Sequence, residues 1–440
     1  MDDSKPTIDK IISDLSHHIR INKGFLIWMG FLVAALLVCL YAYTIQLRTG
    51  LGVAGIRDFT SWGMYLANFV FFVAASLIGM LISAVLGLMG MKWITPITRI
   101  AETIAVAFAA VAGLVIVSDM GRPERLAYVF IYGRPQSPIL WDVTVITTYF
   151  VLSLLLLYLP LIADMAILYR RAASLPAWLK PIYKVLSLNF TDSPEQNRII
   201  NRSIRILLIL VIPAALSIHT VTSWLFAVTS RAGWDSTIFG PYFVSGAFVA
   251  GSAAVIIAMY FFRNNYRLQD YFTDRHFNNM GKVLATVSLV YLYFNLNEFL
   301  VPGYKLKRAD AIHLQELFAG KDALMFWLVQ VGGLLLPILL MLFRRFRRPL
   351  PLMLISVAVI IAAWFKRYLI VIPTQEHPFL PIQHVPHNFV HYTPTLTETL
   401  ISIAPFILVL IIITLVSKFF PVIPVHETAR ERGVEHIPFD

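Results

Sequence analysis

Ten stretches of this 440-residue chain run for about twenty residues or more with almost no charge, and nothing else in the sequence restricts its fold as tightly. Bilayer hydrocarbon is about 30 Å thick and takes about 20 residues of helix to cross. Inside it every backbone N–H and C=O must find a partner within the protein, which leaves helix as the element for runs of this length. They lie near 24–46, 63–89, 98–118, 139–168, 203–229, 239–262, 282–301, 322–343, 350–370 and 397–419. Only 14% of residues are charged, against about 25% in soluble domains. The expected fold is an all-α integral membrane protein of about ten spans, built as two four-helix bundles plus peripheral helices. One membrane domain, 1–440, is expected, with a leader over 1–23, the helical region over 24–419 and a tail over 420–440. The leader is acidic and mixed in charge, unlike the basic start of a cleaved signal peptide, so the first run is expected to stay as a span.

An even number of spans puts both termini on one side. That side carries 24 of the 36 Lys and Arg residues, so both termini are expected in the cytoplasm. "RRFRRP" (344–349) then marks a cytoplasmic helix end. The net charge of +11 reflects topology and anionic lipid on this reading, and no nucleic-acid partner is expected.

The single cysteine, Cys39, excludes an internal disulfide, a Cys-ligated iron–sulfur cluster and a c-type haem. Among eleven histidines only His219 falls well inside an apolar run, which argues against a haem held between two membrane histidines. "HPFLPIQHVPHNFVHY" (377–392) gathers histidines in a loop, but its prolines break regular ligand geometry and no acid or thiol lies between them. No metal is expected there; docking of an extracytoplasmic partner is.

Ionisable groups within spans are costly and mark pathways, pockets or partner contacts. Projected in depth, Tyr65, Asn68, Asp119, Trp141, Asp142 and His219 collect near the outer surface of the second to fifth spans. An outward-facing pocket in a four-helix bundle follows. An imidazole with an ordinary pKa of about 6.5 opposite an acid can take up and release protons at neutral pH. Quinol oxidation needs such a pair, and His219 with Asp119 are the nominated catalytic groups. The plainer readings are that His219 ties two helices together, that Asp119 caps a turn or pairs with Arg122 or Arg125, and that the aromatics form an interfacial belt. Deeper, Ser76, Ser83, Glu102 and Asp164 outline a proton track, with close packing of small residues as its rival. Glu298 beside Lys366 or Arg367 is expected to form a buried ion pair joining helices. "SDMGRPERLAYVFIYGRPQSPILWDV" (118–143) connects two spans, and its two Gly-Arg-Pro turns are expected to hold it as a lid, glycine by unusual dihedrals and proline by its fixed φ.

"WGMYLANFVFFVAASLIGMLISA" (62–84), "SDMGRPERL" (118–126), "SPILWDV" (137–143), "HTVTSWLFAVTSRAGWDSTIFGPYFVSGAFVAG" (219–251) and "FFPVIP" (419–424) resemble the NrfD/polysulfide-reductase membrane-subunit family. The length resembles its larger ten-helix branch, found in alternative complex III and in menaquinone reductase complexes. The resemblance implies a multi-pass subunit of the bacterial inner membrane, without haem or iron–sulfur cluster of its own, that binds quinone (menaquinone or ubiquinone). It also implies an extracytoplasmic iron–sulfur partner, with multihaem cytochrome c and molybdopterin-type subunits as further members of the complex. Carried over by position, the quinone pocket involves Tyr65, Asn68, Asp119, Arg122, Trp141, Asp142 and His219. Many relatives have histidine where this chain has Asp235, so proton handling near "GWDSTIF" is expected to differ. The competing functions are a secondary transporter or proton channel, which ten helices also suit, and a membrane anchor that binds no quinone.

Overall fold

The computed structural model describes residues 8–57, 59–172, 175–229, 231–377, 386 and 389–434, and among them regular structure is entirely helical. Ten helices are long and apolar enough to cross a membrane: Lys23–Thr49, Met64–Leu86, Lys92–Ser118, Pro138–Arg171, Pro194–Ala227, Phe239–Asn265, Asp274–Lys305, Ala323–Leu342, Pro349–Val371 and Leu396–Phe419. Each coincides with one of the ten expected runs. The fifth and seventh begin well before the apolar run does, for an identifiable reason. Ser193 accepts from the Gln196 N–H at 3.3 Å, and Thr273 forms a capping box with His276, so both helices nucleate in polar sequence that a hydropathy filter passes over.

The second to fifth spans pack in a ring, second on third, third on fourth, fourth on fifth, and fifth back on second; the sixth to ninth close in the same way. These are the two expected four-helix bundles. They meet where the second span lies against the sixth and ninth. Glycine makes the approach possible: a Cβ added at Gly251 of the sixth span would stand 2.6 Å from the Ile78 Cβ of the second. The first and tenth spans pair with each other at the periphery, and the tenth also lies on the third. Most of the first span faces outward, as a lipid-facing helix does, with Leu26, Ile27, Phe31 and Leu37 exposed.

The leader and tail are folded onto this frame. A helix at Ile8–Ser16 buries Ile11, Ile12 and Leu15 and packs against both the fourth span and a C-terminal helix, Val425–Glu431. Both ends of the described chain therefore share one face, called the terminal face below. His18 stacks on Tyr266 with ring centroids 4.5 Å apart, and Lys418 donates to its carbonyl at 2.5 Å. Burial holds the His18 imidazole down at about 4, against the pull of the Phe420 carbonyl, so it is neutral at physiological pH.

Two spans contain a π-helical stretch, Met80–Leu86 in the second and Leu328–Leu335 in the eighth. Each inserts a wide turn that rotates everything beyond it relative to an unbroken α-helix. Among the described residues, a short helix, Lys180–Leu186, lies between the fourth and fifth spans, and another, Arg308–Ala319, between the seventh and eighth.

Candidate functional site

At the face opposite the termini, the first bundle meets the first and tenth spans in a polar cluster. Thr395 caps the tenth span, its hydroxyl accepting from the Glu398 N–H at 3.2 Å. That turn aims the Glu398 carboxylate back at the second span, where it accepts from Gly55 N at 2.7 Å, from Met64 N at 3.2 Å and from the Tyr392 hydroxyl. Gly63 leaves room for it, since a Cβ there would lie 2.6 Å from Glu398 Oε1. Next to Met64, the buried Tyr65 hydroxyl donates to Gln46 Oε1 at 2.6 Å, and the Gln46 amide donates to the Ser118 carbonyl at 2.7 Å. Asp119 follows directly. Its Oδ1 is buried and has no hydrogen-bond partner. Burial first, and the nearby Glu398 carboxylate second, push the Asp119 carboxyl up from its ordinary 3.8 to about 7.

The sign of the resulting pH dependence follows from linkage. Folding favours protonated Asp119, so its contribution to stability is complete below the unfolded value of 3.8 and is lost as pH rises through about 7. The unfolding midpoint of the purified protein is expected to fall between about pH 4 and pH 7, and to fall less in Asp119→Asn. Identical slopes for the two proteins would contradict this.

The other nominated residues lie in three separate settings. Asn68 is satisfied on both sides: its amide donates to the Ser402 carbonyl at 2.8 Å and its Oδ1 accepts from Trp364 Nε1 at 2.6 Å, linking the second span to the tenth and ninth. Asp142 is buried and accepts from Thr222 Oγ1 at 2.5 Å, joining the fourth span to the fifth. Trp141 beside it is partly exposed and donates to the Pro135 carbonyl at 2.5 Å. His219 is 1% exposed; Nδ1 lies 3.2 Å from the Ala215 carbonyl, Nε2 is buried without a hydrogen bond of good geometry, and the Ala74 carbonyl of the second span also acts on the ring. Arg367 of the ninth span is close enough to act on it electrostatically.

Arg122, Arg125 and Arg134 are exposed on the 119–137 connector, together with Tyr128, Phe130, Ile131 and Tyr132. The two Gly-Arg-Pro turns do not use left-handed glycine backbone, contrary to expectation. At Gly133 the constraint is space: a Cβ would sit 2.1 Å from the Val129 carbonyl.

Of the four residues set on a proton track, Ser83 and Glu102 are brought together, the serine hydroxyl donating to Glu102 Oε1 at 3.0 Å. The π-helical turn presents Ser83 there. Ser76 instead donates to the Val73 carbonyl of its own helix, and its own carbonyl accepts from Tyr149. Asp164 has both oxygens engaged, one by Arg99 Nη2 at 2.9 Å and the other by the His426 N–H at 2.8 Å. In the second bundle Glu298 and Lys366 interact electrostatically but do not form the expected direct ion pair among the described residues. The Lys366 ammonium lies over the Phe299 ring, 4.5 Å from its centroid. In the histidine loop, His384 and His387 lie outside the described residues, and no group of three or more metal-ligating side chains occurs among the described ones.

Sequence reasoning passed over Gln46, Tyr392 and Glu398. Gln46 ends an apolar run, Tyr392 closes the histidine loop, and the Thr395-to-Glu398 spacing reads as a routine capping box. A polar residue at the last turn of an otherwise apolar span, such as Gln46, was the available signal.

The pattern of the family described as "Polysulphide reductase, NrfD" matches residues 52–378. Among similar proteins, the inferred membrane subunit of a dimethyl sulfoxide reductase from Halobacterium salinarum is 29% identical over 73% of this chain and 70% of that protein. A selenate reductase subunit from Mesobacillus selenatarsenatis is 25% identical over 94% of this chain and 97% of its own length. The Hdr-like menaquinol oxidoreductase integral membrane subunit of Archaeoglobus fulgidus is 24% identical over 90% and 92%. A multi-pass membrane subunit of a reductase-type complex fits the ten spans and all three relatives.

Proposed function

Because the chain belongs to the polysulphide reductase NrfD family, we propose that it is the quinone-interacting membrane subunit of a multisubunit respiratory oxidoreductase in a cytoplasmic membrane. The observation that supports this reading is the buried Asp119 Oδ1, which has no hydrogen-bond partner beside the Gln46–Tyr65 pair. A buried polar atom without a partner costs about 1–3 kcal/mol, which a ligand offering ring oxygens and hydroxyls recovers. Asp119 therefore suits a quinone headgroup. The menaquinol named for the Archaeoglobus relative supports a menaquinone-type ligand.

A bound quinol supplies two electrons and two protons when it is oxidised. The chain's own part is to position and to move protons. The Gln46–Tyr65 hydrogen bond fixes the wall next to Asp119, and Asp119 can hold a proton near neutral pH. His219, set apart from Asp119, is the second group able to accept or donate one. Asn68 and Asp142 brace the helices that carry these groups, while Trp141 sits at the rim. The exposed Arg122, Arg125 and Arg134, interleaved with aromatic side chains, suit an acidic face of an iron–sulfur partner on the side away from the termini. The Lys and Arg asymmetry supports a cytoplasmic terminal face. Quinone retained by the gently purified complex tests the reading: about one per complex is expected, and an intact complex that never retains or binds quinone would contradict it.

A further inference from the structure

The C-terminal helix enters the terminal-face end of the first bundle and is fastened there from several sides. The approach from Pro421 to His426 is buried. The His426 N–H holds Asp164, its Nε2 lies 3.0 Å from Asp192 Oδ1, and Arg430 reaches that same oxygen at 3.2 Å. From the third span, Thr95 donates to Glu431 Oε1 at 2.6 Å. So placed, the helix walls a cavity of about 330 Å³ whose lining includes Ser83, Arg99, Glu102, Glu427 and Glu431. At about 30 Å³ per molecule that is room for about ten waters.

Two features make this cavity more than a packing defect. Arg99 is 2% exposed; its Nη2 is held by Asp164, while Nε and Nη1 are buried without partners. Glu427 is exposed to solvent and lines the cavity, so it can meet both. Glu102, hydrogen-bonded to Ser83, lines the same space.

We propose that Glu427, delivered by the C-terminal helix, is the proton-exchange group of the terminal face, loading protons from solution and passing them through cavity water to Glu102. The transfer balances simply: Glu427 gains a proton from the solution, gives it through water to the Glu102 carboxylate, and returns to its ionised state. Asp164 cannot take this role while Arg99 and the His426 N–H occupy its two oxygens. Glu427 is faced by Arg99, Asp164 and Glu102 from the third and fourth spans, by Lys92 at the cavity mouth, and by Arg430 and Glu431 from its own helix. Burial first, with Asp164 and Glu431 adding and Arg99 opposing, raises its carboxyl from 4.5 to about 7. Both protonation states are then populated near neutral pH.

This inference rests on proton coupling as part of the proposed function, and its test is read without turnover. Infrared spectra of the purified complex transferred to D2O give the exchange rate of the Glu102 carboxyl band, identified by its loss in Glu102→Gln. In Glu427→Gln that exchange is expected to slow about tenfold or more, while Glu427→Asp, which keeps the carboxyl, stays within about threefold of wild type. Wild-type exchange in Glu427→Gln would overturn the proposal. So would an aspartate variant as slow as the glutamine one, since packing alone would then explain the effect. A complex that binds no quinone would contradict the function proposed above and leave this exchange measurement standing.

Discussion

Complexes carrying His219→Ala are expected to oxidise or reduce quinone about a hundredfold more slowly than wild type while assembling normally, and Asp119→Asn complexes to lose a similar factor. His219 is 1% exposed, its Nδ1 turned toward the Ala215 carbonyl of its own helix, and the Ala74 carbonyl of the second span also acts on the ring. A histidine kept only to tie the fifth span to the second, through the Ala74 carbonyl, would lose assembly or stability on replacement by alanine and show no separate loss of rate. Asparagine at 119 preserves shape and removes the capacity to hold a proton. A rate loss without loss of assembly therefore separates a chemical role from a bracing one. Steady-state quinol kinetics, with native mass spectrometry of the same preparations, makes the comparison. Wild-type rates in both variants would remove these two groups from the chemistry.

The second large effect is on stability. Arg99 and Asp164 form a buried ion pair, 2% and 1% exposed, between the third and fourth spans. Asp164→Ala leaves a guanidinium in a low-dielectric setting with no counter-charge at hydrogen-bonding distance, and it also frees the His426 N–H that ties down the C-terminal helix. Breaking a buried pair from one side costs about 3–5 kcal/mol, whereas replacing both partners by apolar residues of similar volume costs far less. Asp164→Ala is thus expected to unfold at markedly lower denaturant or temperature in detergent, and Arg99→Leu/Asp164→Leu to recover much of the difference. A loss below about 1 kcal/mol for the single variant would mean the pair behaves like a surface one.

Much of the frame was legible because hydrocarbon imposes a length and a composition on each span. The polar residues were harder. Arg99 reads in sequence as one more positive charge marking a cytoplasmic helix end, yet it is buried; what distinguishes it is Asp164, 65 positions away, and no periodicity links the two. Glu398 meets Gly55 across 343 positions and reads locally as a cap. Ser76 and Ser83, seven apart, share a face in a regular helix, but the π-helical turn sends their hydroxyls to different partners, one to Val73 and the other to Glu102. Glu427 lies in a stretch whose mixed charge suggests a solvated tail, and only the cavity it lines gives it meaning. Asp119, His219 and Glu102 could be nominated in advance because an ionisable group inside or at the end of an apolar run stands out by its cost.

The most direct measurement compares quinone bound per purified complex in wild type and in a His219→Ala/Asp119→Asn double variant. If quinone binding depends on these two groups, wild type holds about one quinone and the double variant, equally well assembled, holds a tenth of that or less at the same quinone concentration. Equal occupancy in both proteins would place the quinone elsewhere on the molecule.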